Sequence, residues 1–169
     1  LAGVISVIVD EGVAALNLYV AGLFNNDGGV VQTNAASAVI ADIQPVAGAP
    51  LPLPGESVLG TGEFSNIDGQ IIHLGDGKLK IAINDFDNSE GTISGASAVD
   101  VDTNEFTNTR GTVVGSTLQL DATSLTNNGG VVQGQTVAIN IADNLVNGVA
   151  VVAGDTDTVE EVDQAGLIA

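Results

Sequence analysis

Apolar residues recur along this chain at two spacings at once. Over short stretches they alternate: Leu16-x-Leu18-x-Val20, Leu79-x-Ile81-x-Ile83, Val99-x-Val101-x-Thr103, Leu118-x-Leu120-x-Ala122 and Val137-x-Ile139-x-Ile141. Period two is the spacing of a β-strand with one face inward and one outward. Val4 to Val9 is a further short β-branched run, followed by Asp10-Glu11-Gly12, which reads as a turn. The apolar residues do not fall at the three-and-four spacing of an amphipathic helix.

The second spacing is near 20 residues. Six segments align on an apolar anchor: Phe24, Phe64, Phe86, Phe106, Leu125 and Leu145. All carry an asparagine two places later: Asn26, Asn66, Asn88, Asn108, Asn127 and Asn147. The first five carry glycine five places later, and the sixth has Ala150 there. Seven places after the anchors stand Val31, Ile71, Ile93, Val113, Val132 and Val152. All four phenylalanines of the protein fall in the anchor column.

Short strands, glycine turns and a fixed period of this length predict an all-β fold, a parallel β-helix (β-solenoid) with about 20 residues per coil. Each coil stacks on the next by parallel backbone pairing, and each sequence column becomes a ladder. The anchors are expected to stack inside. The asparagines are expected to form an amide ladder at a turn, as in cross-β structures. The column glycines are expected to give the backbone a positive φ. The anchors step by 40, 22, 20, 19 and 20 residues. Reading the step of 40 as two coils, with Val46 as a weak intermediate anchor, gives roughly eight coils and a rod on the order of 40 Å long.

The chain reads as a single solenoid domain over 1–169 with one interruption. All four prolines lie between Pro45 and Pro54. Proline removes a ladder donor, so the stretch at about 44–60 is expected to leave the solenoid as a loop or contact arm.

The pattern Leu/Phe-x-Asn-x-x-Gly-x-Ile/Val, followed by alternating apolar residues, resembles the filamentous haemagglutinin-type repeat of bacterial two-partner-secretion exoproteins. Its best stretch runs from Ser124 to Ile139, and the likeness covers about 60–152 well and 13–45 in part. The resemblance implies a right-handed parallel β-helix, a long shaft at the cell surface used in adhesion or to present a terminal domain. On that basis the chain is expected to be an extracellular structural protein without catalysis, either an adhesin shaft or a head-to-tail fibre subunit. Its partners are then a further solenoid, met end to end or as a continuation of the same rod, and a receptor or glycan on a host or neighbouring cell.

Composition narrows the field. The chain has 169 residues, 21 acids and three bases, for a formal charge of −18. A polyanion cannot neutralise phosphates, which excludes nucleic acid as a partner. With no cysteine, disulfide scaffolds and thiolate metal sites are excluded. A content of 44% hydrophobic residues is too high for a disordered acidic tail. The apolar first 24 residues are interrupted by Asp10, Glu11 and Asn17, so no membrane span is expected. The missing initiator Met and basic n-region suggest a processed chain, a fragment or an assembled subunit.

Two further readings compete with the structural one. The first is a polysaccharide-binding or polysaccharide-cleaving module. Three bases leave little to stabilise an oxyanion, and no carboxylate pair stands out for glycoside hydrolysis. His73, the only histidine, is expected at the surface beside Gly75-Asp76-Gly77, and nothing supports a catalytic role for Tyr19. The second is a calcium-stabilised surface-layer or matrix protein. Glu63, Asp85 and Glu105 share one column just before the anchors, and Asp102 and Asp121 share another. Hard oxygen ligands in rows suit Ca²⁺, the one cofactor considered.

Overall fold

The computed structural model describes residues 3–8, 15–42, 62–153 and 159–169. Among them there is no helix. The chain winds as a parallel β-solenoid of about six turns, roughly 20 residues apart.

One face is a ladder of short strands: β1 (Val4–Val7), β4 (Val30–Thr33), β7 (Gln70–His73), β9 (Thr92–Gly95), β11 (Thr112–Val114), β13 (Val131–Gln133) and β17 (Leu167–Ile168). A second ladder runs β2 (Ala15–Val20), β5 (Ser37–Asp42), β8 (Lys78–Asp87), β10 (Ala98–Thr107), β12 (Thr117–Thr126) and β14 (Thr136–Val146). In the early coils β3 (Leu23–Asn25) and β6 (Glu63–Ser65) take the place of the distal half of these long strands, and β6 pairs with β8. Inward positions in β8 run Leu79, Ile81, Ile83 and then Phe86, so alternation slips by one residue at Asn84 and Asp85. Thr103 bridges that slip, its hydroxyl donating to the carbonyls of Asn84 (2.9 Å) and Glu105 (3.1 Å).

The core is the set of inward columns. Val31, Ile71, Ile93, Val113 and Val132 form one; Ile40, Ile81, Val101 and Leu120 form another, and all are buried. The phenylalanines stack as the repeat predicts, with ring centroids 4.7 Å apart from Phe24 to Phe64, 4.7 Å from Phe64 to Phe86 and 5.1 Å from Phe86 to Phe106. Leu125 continues the column, fully buried. Leu145 does not complete the buried stack. It lies in the last layer of its ladder and is 50% exposed.

The coil count falls from eight to about six, one coil being lost because the step of 40 residues is one turn and another because 149–165 leaves the repeat. Phe24 pairs directly with Phe64, and Ala38 with Leu79, leaving no coil between them. The Pro-rich stretch is therefore an insertion between β5 and β6. Val46 and the whole of 44–60 lie outside the described residues, as does Asp10-Glu11-Gly12.

A second insertion displaces the sixth repeat. After Gly148 the chain makes an antiparallel pair, β15 (Val149–Ala153) with β16 (Val159–Ala165). It then resumes the solenoid at Gly166. Leu167 pairs with Val131 and Ile168 with Val132. Gly166 and Ile168, rather than Ala150 and Val152, fill the sixth places of the glycine and apolar columns. An antiparallel hairpin adds residues without breaking the register on either side of it.

The glycine column has a different cause from the one expected. The left-handed position lies one residue earlier: Gly28 (φ 61°), Asp68 (55°), Glu90 (59°), Arg110 (56°) and Gly129 (64°). The column glycines that follow leave no room for a side chain. A Cβ at Gly69, Gly91, Gly111 or Gly130 would run into the asparagine carbonyl of the preceding coil and the Oδ1 of its own turn's asparagine. The two neighbouring positions therefore respond to substitution with opposite signs. Gly111→Ala forces overpacking and is expected to cost about 1–3 kcal/mol in denaturant unfolding. Asp68→Gly relieves a left-handed L-residue and is expected to gain up to about 1 kcal/mol. A tolerated Gly111→Ala would contradict this assignment.

Candidate functional site

The most ordered polar array is the asparagine ladder. Each Asn follows an anchor and enters a tight turn, so its side chain points into the interior. Asn66, Asn88, Asn108 and Asn127 are fully buried. Each amide donates to the Oδ1 of the next coil's asparagine: Asn26 to Asn66 at 2.7 Å, Asn66 to Asn88 at 2.7 Å, Asn88 to Asn108 at 2.8 Å, Asn108 to Asn127 at 2.7 Å and Asn127 to Asn147 at 2.7 Å. The same nitrogens reach the column glycine of their own turn, as from Asn127 to the Gly130 carbonyl at 3.0 Å. The buried amides are satisfied, as buried polar groups must be. The ladder has a direction, with donors facing the later coil. Among the described residues the Asn26 Oδ1 accepts nothing and the Asn147 Nδ2 donates to nothing; Asn147 is exposed.

The acidic columns are aligned as the spacing predicts. Glu63 pairs with Asp85 and Asp85 with Glu105 along one shallow outward groove that Leu23, Ser65, Asp87 and Thr107 also line. Asp102 lies in register with Asp121. These rows run along the rod without converging. Among the described residues no three His, Cys, Asp or Glu side chains gather closely enough to hold a metal ion.

The carboxylates differ in their surroundings. Asp121 accepts from the Gln119 amide at 2.9 and 3.0 Å and from the Asn140 amide at 2.6 Å. Lys78 meets Asp100 at 2.6 Å. Burial pushes the Asp102 carboxyl above its ordinary value; Lys80 opposes the shift, and Asp121 and Asp100 add to it. Asp27 is held below the ordinary value, first by the Ser65 hydroxyl and further by the Ile67 amide and Asn25. It thereby ties its turn to the turn of the next coil.

His73 is in the core, 1% exposed, not at the surface. It occupies the ladder position between Thr33 and Gly95. Its Nε2 lies 2.9 Å from the Ala35 carbonyl, so that nitrogen carries the proton, and Nδ1 is buried without a partner. A side chain enclosed in this way does not meet a substrate. Tyr19 packs on a small cluster of Val39, Ala41 and Ala82 on the outward face of the second ladder. The alternation gave no sign of this cluster, because two of its outward positions hold only alanine, Ala41 and Ala82.

The last open feature is the C-terminal end of the rod. Val137, Ile139, Ile141, Leu145 and Ile168 line a concave apolar surface there. The chain matches no protein-family model, no curated protein and no solved structure. Among the described residues no helix is long and apolar enough to cross a membrane.

The Asp102 environment generates a pH prediction. Its folded-state value is raised, so the folded protein holds that proton more tightly than the unfolded chain. Stability from this group is present at low pH and falls as pH rises from the ordinary value through the raised one. Asp102→Asn should remove that component, raising the melting temperature at pH 7 relative to the parent and narrowing the difference at pH 3. A variant less stable than the parent at pH 7 would contradict it.

Proposed function

We propose that this chain is a structural element, a β-solenoid rod of an extracellular bacterial adhesin or surface filament, and that it carries no catalytic site. The observation that supports this reading most is where the polar side chains are spent. The buried asparagines bond coil to coil, and the sole histidine is sealed in the core. The repeat's resemblance to filamentous haemagglutinin-type shafts adds the surface location and the adhesive role. The charge of −18 suits a soluble coat that resists lateral clumping. A receptor or glycan would then be met along the flat outward ladders, and another solenoid at the ends.

The aligned row of Glu63, Asp85 and Glu105 favours one second reading, a rod stabilised by calcium bound along that groove. A single set of melts and assays separates the readings. For the structural rod, the melting temperature is the same in excess Ca²⁺ and in chelator, and no reducing sugar is released from a polysaccharide panel. A rise with Ca²⁺ that disappears in Asp85→Asn would establish the calcium reading. Turnover of any polysaccharide would overturn the scaffold.

A further inference from the structure

The short-strand ladder turns an uncharged face to the outside. Its successive strands β4, β7, β9, β11 and β13 contain no acid and no base, in a chain with 21 acids. The outward side of the second ladder, by contrast, carries Lys78, Lys80, Asp100, Asp102 and Asp121, and the shallow groove beyond it carries Glu63, Asp85 and Glu105. A body of charge −18 approaches a copy of itself with least repulsion where charge is missing.

Two outward columns make up this face. Register sets Val30, Gln70, Thr92, Thr112 and Val131 in one, and Gln32, Ile72, Ser94, Val114 and Gln133 in the other. All are at least partly exposed. By kind, the first column reads apolar, polar, polar, polar, apolar, and the second reads polar, apolar, polar, apolar, polar. Each is the same in either direction along the rod. A twofold axis parallel to β9, lying between two facing copies, reverses the order of the coils and sets each column against itself. Val30 then meets Val131 of the second copy, and Ile72 meets Val114 of the second copy. Gln70 meets Thr112 of the second copy, Gln32 meets Gln133 of the second copy, and Thr92 and Ser94 meet their own counterparts. A twofold axis along the rod does the opposite. It sets Val30 against Gln32, Gln70 against Ile72, Thr112 against Val114 and Val131 against Gln133, each an apolar group against a polar one that burial would leave unbonded.

The turns leading into the strands agree with the first axis. Asp68 precedes β7 and Arg110 precedes β11, both at the left-handed turn position. The reversal brings Asp68 of each copy level with Arg110 of the other. Glu90 falls level with its own counterpart, and Arg110 of its own chain, 3.7 Å away, offsets that meeting.

We propose that the short-strand ladder is the contact face of an antiparallel homodimer, with its twofold axis parallel to β9. The contact is isologous, so it closes at two copies. Over these five layers, two outward residues per strand make a strip on the order of 20 by 10 Å, small beside the roughly 800 Å² per partner of a standard interface. The dimer is therefore weak and concentration-dependent. It leaves the outward side of the second ladder open to a receptor. This inference goes beyond the structural reading above and does not depend on it.

Sedimentation velocity of the 169-residue chain between about 10 μM and about 1 mM, in about 0.15 M salt to screen the net charge, reads the association. The mass should rise from one chain toward two and stop there. Thr92→Lys sets two like charges together at the axis and should weaken association at least tenfold while melting cooperatively. Thr117→Lys makes the same change of charge on the outward side of the second ladder and should associate at least as well as the parent. The register is tested by mixing. Gln70→Lys and Thr112→Asp chains, mixed one to one, should associate at least tenfold more tightly than either alone. A parent chain still monomeric at about 1 mM would overturn the proposal. So would Thr92→Lys associating as tightly as Thr117→Lys, a mass that grows past two chains, or a mixture no tighter than its parts. Each of these results leaves the scaffold reading standing, which only polysaccharide turnover overturns.

Discussion

Parallel stacking at one strand spacing, in strict register, is the constraint on which the rest of this structure depends. A column residue meets its own kind above and below, about 4.8 Å away. Only residues that tolerate like neighbours at that distance can occupy an inward column. Aliphatic side chains and phenylalanine do so by contact. Asparagine does so because its amide is both donor and acceptor, so a row of identical side chains satisfies itself. An unpaired amide at the same depth would cost about 1–3 kcal/mol. The turn glycines belong to the same arrangement. They let the asparagine carbonyl of one coil approach the next turn, and any Cβ there would push the ladder apart.

The columns were legible in the sequence wherever the register is unbroken. From Phe64 to Leu125 the alternation, the anchors and the asparagines all fall where the repeat places them. Insertions were the illegible part. A step of 40 residues is the sum of two coils or of one coil and a loop, and spacing alone does not separate them. The direct pairing of Phe24 with Phe64 decides for the loop. The sixth repeat misled for the same reason. Val152 sits at the repeat's spacing, yet the hairpin of β15 and β16 moves that column place to Ile168. The glycine column was located correctly and explained wrongly. Close approach and positive φ both select glycine, and only the backbone shows that Asp68, Glu90 and Arg110 carry the left-handed turn. His73 lies two places past the apolar column residue Ile71, still on the inward face, but its neighbours Gly75-Asp76-Gly77 suggested a surface loop.

The distribution of satisfied and unsatisfied groups separates the shaft from its ends. Along the shaft, the buried asparagine side chains are spent on neighbouring coils, and among the described residues no three acids or histidines gather into a metal site. Among the described residues, the partly covered apolar side chains Val137, Ile139, Ile141 and Leu145 lie on the last strand of the second ladder.

The central claim is that the asparagine ladder holds the coils in register, and comparing an interior rung with an end rung tests it most directly. Equilibrium denaturant unfolding of Asn108→Ala and Asn147→Ala gives the comparison. Removing Asn108 strips the Asn88 amide of its short side-chain acceptor, leaving the longer contact to the Gly91 carbonyl, and the Asn127 Oδ1 of its donor, both buried. At about 1–3 kcal/mol per orphaned group, the interior variant should lose several kcal/mol. The end variant strips one buried group instead of two, the Asn127 amide, and should lose about 1–3 kcal/mol, clearly less than the interior variant. Equal and small losses at both positions would show that the apolar columns hold the register alone, and the account would be wrong.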